Sequence, residues 1–246
     1  MDAGRFRPMD SVRVEILPPA ALPEYDLGDA GDASIEIDDV WDRLRRARPR
    51  LFDGPILSFV GEDRGVVLAR RDSYKRLAVQ GEARHLVSPP VVQLSVTGVL
   101  VARDDAGRPH VFLGKRSDDT RIYGSLWELG PSGGLDPPSA HLHALDEHAV
   151  IRQLQIECRD EVGIAGVFTS HAVLGLIDDP VAMSTDIVVR LDLQRRLSEL
   201  LVSASNWEYA QSRWLPASEL TAFGDREPTI PPTAALLPVV AAMLAG

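Results

Sequence analysis

Alternation opens the chain. Val12, Val14 and Ile16 are separated by single polar residues, which predicts a strand over 12–17, ended by Pro18 and Pro19. The acidic, glycine-rich stretch 26–34 predicts a loop. Ile37, Val40, Trp41 and Leu44 then recur at helical spacing, with Ser34 or Asp38 as candidate caps and Pro49 as the stop. The basic end of that helix (Arg43, Arg45, Arg46, Arg48) suits a helix C-terminus electrostatically; phosphate binding is the sharper alternative. Apolar runs at 56–60 and 66–70 around the turn at 61–65 predict a hairpin. Asp72 or Ser73 can cap a short helix through Leu77 and Val79. Ser88-Pro89-Pro90 reads as a boundary, so residues 1–90 are expected to form a small α+β module docked on the remaining two thirds of the chain.

Beyond the boundary, 91–103 is a long apolar strand and 110–115 its hairpin partner across a turn at 104–108. A long irregular segment comes next, rich in glycine and proline toward its end. Loops of that length usually serve a function. Its Tyr123 and Trp127 suit core packing or stacking on a ligand. A helix is expected from about Ser139 to Val162, with Ile151, Leu154, Cys158 and Val162 as its core stripe and Gly163 as its C-cap. Strands at 167–177 and 187–193, a short helix at 194–201, a strand at 207–215 and an Ala/Leu-rich closing helix at 233–245 complete the pattern. Such a mixture gives an α/β (α+β) architecture in which helices cover both faces of a sheet.

The predicted helix near Val162 carries the chemistry. Glu157, Asp160 and Glu161 fall at i, i+3 and i+4, on one face. Like charges there repel and cost helix stability. The same spacing offers oxygen ligands to a hard divalent cation, although an acidic solvated face has the same pattern. Glu157 and Glu161 lie beside the apolar stripe, where carboxylates are costly unless paired or metal-bound.

Composition narrows the field. The 246 residues are 45% hydrophobic and 25% charged, with net charge −10. That balance argues against nucleic acid or an anionic membrane as partner. The one cysteine, Cys158, lies on the core stripe and excludes an internal disulfide. With no signal-peptide pattern and no apolar run of membrane-spanning length, the expectation is a cytoplasmic protein. His141, His143 and His148 have no matching cysteine and read as solvated loop or first-turn residues rather than zinc ligands.

These residues resemble the box of the Nudix hydrolases, G-x5-E-x7-R-E-U-x-E-E-x-G-U, where U is bulky and aliphatic. Ile156 to Ile164 falls on its last nine positions, with Asp160 where the family has Glu. The stretches FLGKRS, GSLWELGPSGG and RWLPASEL look like that family's flanking strands and loops. Two departures stand out. Ile156 replaces the arginine that braces the carboxylates, and 22 positions separate Gly134 from Ile156 where the pattern has 14, leaving eight extra residues. A stretched box and an N-terminal extension are similar to the UDP-sugar pyrophosphatase branch of the family.

The resemblance implies a Nudix α/β/α sandwich with a mixed sheet over 91–246. It implies Mg2+, with Mn2+ or Ca2+ as alternatives, on Glu157, Asp160 and Glu161. The expected reaction is hydrolysis of a small nucleoside diphosphate substrate, above all UDP-glucose to UMP and glucose 1-phosphate. Glu157, Glu161 and the distal Glu208 become the catalytic candidates, although Glu208 reads equally as a loop acid. Arg116, Arg121 and Trp127 become substrate-binding candidates, and the arginines read equally as surface ion-pair residues. Other diphosphates, prenyl diphosphates included, and a Nudix-fold binder that cleaves nothing are the competing expectations.

Overall fold

The computed structural model describes residues 4–21, 31–164, 168–200 and 208–245. Its first part runs β1 (Phe6–Pro8), β2 (Arg13–Ile16), α1 (Gly31–Ala47), the hairpin β3 (Pro55–Asp63) and β4 (Val66–Ser73), then α2 (Tyr74–Glu82). The second hairpin, β5 (Gln93–Arg103) and β6 (Pro109–Arg116), is followed by three very short strands: β7 (Trp127–Leu129), β8 (Ser132–Gly134) and β9 (Ala144–Leu145). Then come α3 (Glu147–Val162), β10 (Phe168–Asp179), β11 (Ser184–Arg196), β12 (Tyr209–Pro216), α4 (Leu220–Arg226) and α5 (Pro231–Ala245). The fold is mixed α and β, with twelve described strands in one mixed sheet ordered β1-β10-β11-β5-β3-β4-β2-β9 and β6, β7, β8 and β12 joined at its centre. No described helix is long and apolar enough to cross a membrane.

Period-two alternation on the central strands sorts the core. Leu94, Val96 and Leu100 of β5, with Ile187, Val189 and Leu191 of β11, face the buried stripe of α3: Val150, Ile151, Leu154, Cys158 and Val162. Val99 and Val101, with Val188, face Leu220 and Phe223 of α4 and Leu236, Leu237 and Val240 of α5. The sheet is thus covered on both faces. Each fully buried aliphatic side chain contributes about 1.5–3 kcal/mol relative to exposure. The N-terminal helices build a third cluster from Val40, Trp41, Leu77 and Val79. The first ninety residues also enter the sheet, through β1 on β10, β3 on β5 at Ser58–Gln93, and β2 on β9.

Four expectations change. Helix α3 begins at Glu147, not near Ser139, because the Asp146 side chain accepts from the Ala149 N–H at 2.8 Å and caps it there. The residues before it form a turn at 140–141 and then β9, which pairs antiparallel with β2 at Val14–Leu145 and Glu15–Ala144. The helix expected over 194–201 is the continuation of β11 to Arg196 and one 3-10 turn, Leu197–Glu199, in which the Glu199 carboxylate accepts from the Arg196 N–H at 3.0 Å. Of the loop expected at 26–34, residues 31–34 are helical, so Ser34 and Asp38 lie within α1 and do not cap it. Residues 26–30 of that loop, position 201 of the expected short helix and Trp207 at the head of the expected last strand lie outside the described residues. The C-cap holds: Gly163 sits in the left-handed region at φ 72°, its N–H donating to Arg159 O and Cys158 O.

Candidate active site

Near β5 the sheet splits. β6 stays beside β5 only over residues 101–103 of the latter, then turns its residues 113–115 to β7. The first half of β5 takes β8 instead, with Ser95 opposite Gly134 and Thr97 opposite Ser132. A cavity of about 900 Å³ lies at this split, lined from β5, β6, β7, β8, α3 and the turn between β10 and β11. α3 runs close under β8. A β-carbon at Gly133 would lie 2.6 Å from Glu157 Cδ, so the small residue is what admits the carboxylate.

Carboxyl groups gather there from three distant parts of the chain. Glu157 accepts from Gln153 Nε2 at 2.7 Å; burial holds its carboxyl above the usual range, with the charges of Asp136 and Asp160 adding to the shift. Glu161, one turn on, accepts from the Ser132 N–H and from the Tyr209 hydroxyl, both at 3.1 Å. Burial, then the charges of Glu208, Glu128 and Glu157, push its carboxyl well up. The Glu208 side chain, just ahead of β12, is hydrogen-bonded to Glu161, and burial raises it too. A hydrogen bond between two carboxyls requires one of them to hold the proton. Glu128, in β7, is 2% exposed and takes the Arg116 guanidinium at 2.7 Å; desolvation still raises it. The Arg116 guanidinium thus pairs with Glu128 and feels the charge of Glu208, while the donors described above for Glu157 and Glu161 are the neutral groups of Gln153, Ser132 and Tyr209.

The wall across the cavity is also acidic. Asp186 accepts from Thr97 Oγ1 at 2.7 Å and Ser184 Oγ at 2.8 Å, and burial raises its carboxyl to about 6. Asp179 takes the Tyr123 hydroxyl at 2.7 Å and the N–H groups of Val181 and Ala182 at 3.0 and 2.9 Å.

Among the residues proposed from sequence, Glu157, Glu161 and Glu208 are brought together. Asp160 reaches the cavity rim, but its carboxylate is gripped by Arg159 at 2.7 and 3.1 Å, which lowers its pKa. Arg116 lines the cavity while neutralising Glu128, and Arg121 lines it from the irregular loop. Trp127 is not at the cavity. It is 1% exposed, 5.5 Å edge-on to Phe223 and 4.7 Å from the Arg213 guanidinium, in the core under α4. Cys158 is buried and its thiol pushed up by desolvation, which suits a core residue. His141, His143 and His148 are exposed.

Glu128, Tyr209, Gln153, Asp179 and Asp186 escaped the sequence reading. The signal for Glu128 was a lone acid between Trp127 and Leu129. That for Asp186 was an acid heading the apolar run at 187–189.

The donor set tests well against a hard cation in one respect. It is all oxygen, negatively charged in excess and partly desolvated, which is the chemistry Mg2+ takes. Its side chains are turned to Gln153, Ser132 and Tyr209, and among the described residues no three acidic, histidine or cysteine side chains converge as a ligand shell.

No family model matches this chain. No curated protein matches it. Among solved structures it is similar to a Nudix hydrolase from M. smegmatis, RenU, at 20% identity over 63% of this chain and 86% of that one, TM-score 0.43. It is similar to DR0079 from Deinococcus radiodurans at 15% identity over 76% and 99%, TM-score 0.48. It is also similar to the Nudix domain of Shewanella oneidensis NrtR, solved with ADP ribose, at 16% identity over 67% and 98%, TM-score 0.45.

Proposed function

We propose that the chain is a Nudix-type hydrolase that cleaves the diphosphate linkage of a nucleoside diphosphate derivative, with a UDP-sugar such as UDP-glucose as the favoured substrate. One observation carries the reading: Glu157 of α3 lines the same cavity as Glu208, an acid just ahead of β12 whose side chain is hydrogen-bonded to Glu161, one turn on from Glu157. A merely solvated acidic face would not draw in a distal carboxyl and desolvate it.

Glu157 and Glu161, with Asp160 at the rim, would hold a divalent cation, Mg2+ first, with Mn2+ or Ca2+ as substitutes. Such an ion, when bound, supplies charge neutralisation and a more acidic water. The chain's own groups do the rest. Water attacks one phosphorus of the P–O–P bridge; the bond from that phosphorus to the bridging oxygen breaks, and its electron pair leaves with the second phosphate. The proton lost by water passes to Glu208, whose carboxyl burial holds above its ordinary value. Arg116, fixed by Glu128, faces the cavity as a stationary positive charge.

The test is a panel of UDP-glucose, UDP-galactose, ADP-ribose and a prenyl diphosphate, with Mg2+ or EDTA, on the parent protein and Glu161→Gln. Mg2+-dependent UMP release that the variant loses supports the reading; release from another diphosphate keeps the mechanism and changes the substrate. A second reading is a binder that cleaves nothing. It is favoured by Ile156, 41% exposed at the cavity where the Nudix pattern has arginine. A UDP-glucose-induced rise in melting temperature without product would select it.

A further inference from the structure

We propose that Arg48, Phe52 and Arg121 form a clamp for the planar, anionic end of the ligand, Phe52 stacking on a nucleobase and the two arginines taking its phosphate. The inference rests on the reading of this cavity as a nucleoside diphosphate site and adds to it a segment that precedes the acid-bearing elements.

The cavity carries both signs of charge. Arg48, Arg50, Arg116 and Arg121 line it together with the acids, Asp119 of the Arg121 loop among them. Arg121 is half-buried, and its guanidinium has no side-chain hydrogen bond or ion pair among the described residues. A guanidinium removed from water without an acceptor is costly, and an oxyanion compensates through bidentate hydrogen bonds. Its loop is held in place. Thr120 Oγ1 donates to Ser117 O at 2.8 Å and to Ile122 O at 3.1 Å, and the Tyr123 hydroxyl is tied to Asp179. Arg48 Nη1 donates to the Arg121 carbonyl at 3.4 Å, which links the end of the α1 segment to that loop.

Phe52 supplies the planar surface. It is 75% exposed although it lines the cavity, the highest exposure among the large apolar side chains described. Its ring lies beside Gly54, where a β-carbon would be 3.0 Å from Phe52 Cε2. A large aromatic ring left in water on the wall of a cavity that also carries arginines is the arrangement that stacks bases. Because any base has a π-face, the clamp recognises a nucleotide without selecting its base.

The experiment is calorimetric binding of UMP, AMP and ribose 5-phosphate, all in EDTA so that hydrolysis plays no part. The parent protein is expected to bind both nucleotides roughly tenfold or more tighter than ribose 5-phosphate, the range expected for one stacked base. Phe52→Ala should bring all three within about twofold of one another, and Arg121→Gln should weaken all three about tenfold, as loss of one charge-assisted contact does. An unchanged melting temperature for Phe52→Ala, expected at an exposed site, separates this from misfolding. The clamp is overturned if the nucleotide preference survives Phe52→Ala, if Arg121→Gln leaves ribose 5-phosphate binding unchanged, or if the parent binds none of the three. The expected pattern in a protein that cleaves no diphosphate keeps the clamp and removes the hydrolase reading. Cleavage without the pattern does the reverse.

Discussion

The Tyr209 hydroxyl donates to the Glu161 carboxylate at 3.1 Å, tying the first residue of β12 to the last turn of α3. The Ser132 N–H, which also donates to Glu161, works against the desolvation of that carboxyl. The acid is thereby held in place while its pKa stays high.

Tyr209→Phe keeps the ring and deletes the donor. The expected stability loss is about 1 kcal/mol, or roughly 2–4 °C in melting temperature for a chain of this size. Without the donor the ionised form of Glu161 is less favoured, so the acid limb of any hydrolytic pH–rate profile should move to higher pH. A melt and a pH profile together check both; an unchanged profile would sever Glu161 from the chemistry.

Arg116 and Glu128 form a nearly buried ion pair, with side chains 14% and 3% exposed. Arg116→Ala leaves a carboxyl uncompensated inside the protein and should cost about 3–5 kcal/mol in urea denaturation. The double variant Arg116→Met with Glu128→Gln should recover most of that loss. If the double change costs as much as the single one, packing rather than charge explains the site.

Gly133→Ala tests the passage of Glu157 beneath β8. The obstructing atoms belong to the far end of a flexible side chain, so the fold should lose about 1 kcal/mol or less. The displaced carboxylate should weaken Mg2+ binding about tenfold, as misplacing one ligand of a site does. Calorimetric Mg2+ titration beside a melt separates the two effects.

Asp186 predicts a pH dependence of stability. Its folded-state value of about 6 lies above the ordinary 3.8, so the folded protein holds a proton that the unfolded chain releases. The stabilising contribution is complete below about pH 3.8 and is lost as pH rises through about 6. Asp186→Asn should therefore gain stability relative to the parent as pH rises from about 4 to about 7.5. Urea midpoints at both values, compared between the two proteins, decide it; parallel shifts would mean that Asp186 titrates normally.

Much of this fold was legible because the strands alternate and α3 carries an unbroken apolar stripe. The stripe located Glu157 and Glu161 beside the core, and Gly163 marked where the helix stops. The start of α3 was harder to read. Residues 139–146 hold helix-compatible side chains, and only the pairing of β9 with β2, a contact across more than half the chain, commits Ala144 and Leu145 to a strand. Trp127 suited either core packing or stacking on a ligand, and long-range contacts decide for packing: the bridge from Trp127 to Thr229 and the ring of Phe223 bury it. Glu128 was invisible because its pairing with Arg116 depends on β6 leaving β5 for β7, a choice of partner that local pattern does not encode.

Those sheet connections bear on how the protein can be divided. β1 covers an edge of β10, β2 an edge of β9, and β3 the beginning of β5. Cutting the chain at residue 90 would bare three strand edges at once, each a template for intermolecular pairing. The N-terminal third thus works as a shield against self-association, and the acid-bearing remainder expressed without it would be prone to aggregate before its chemistry could be measured.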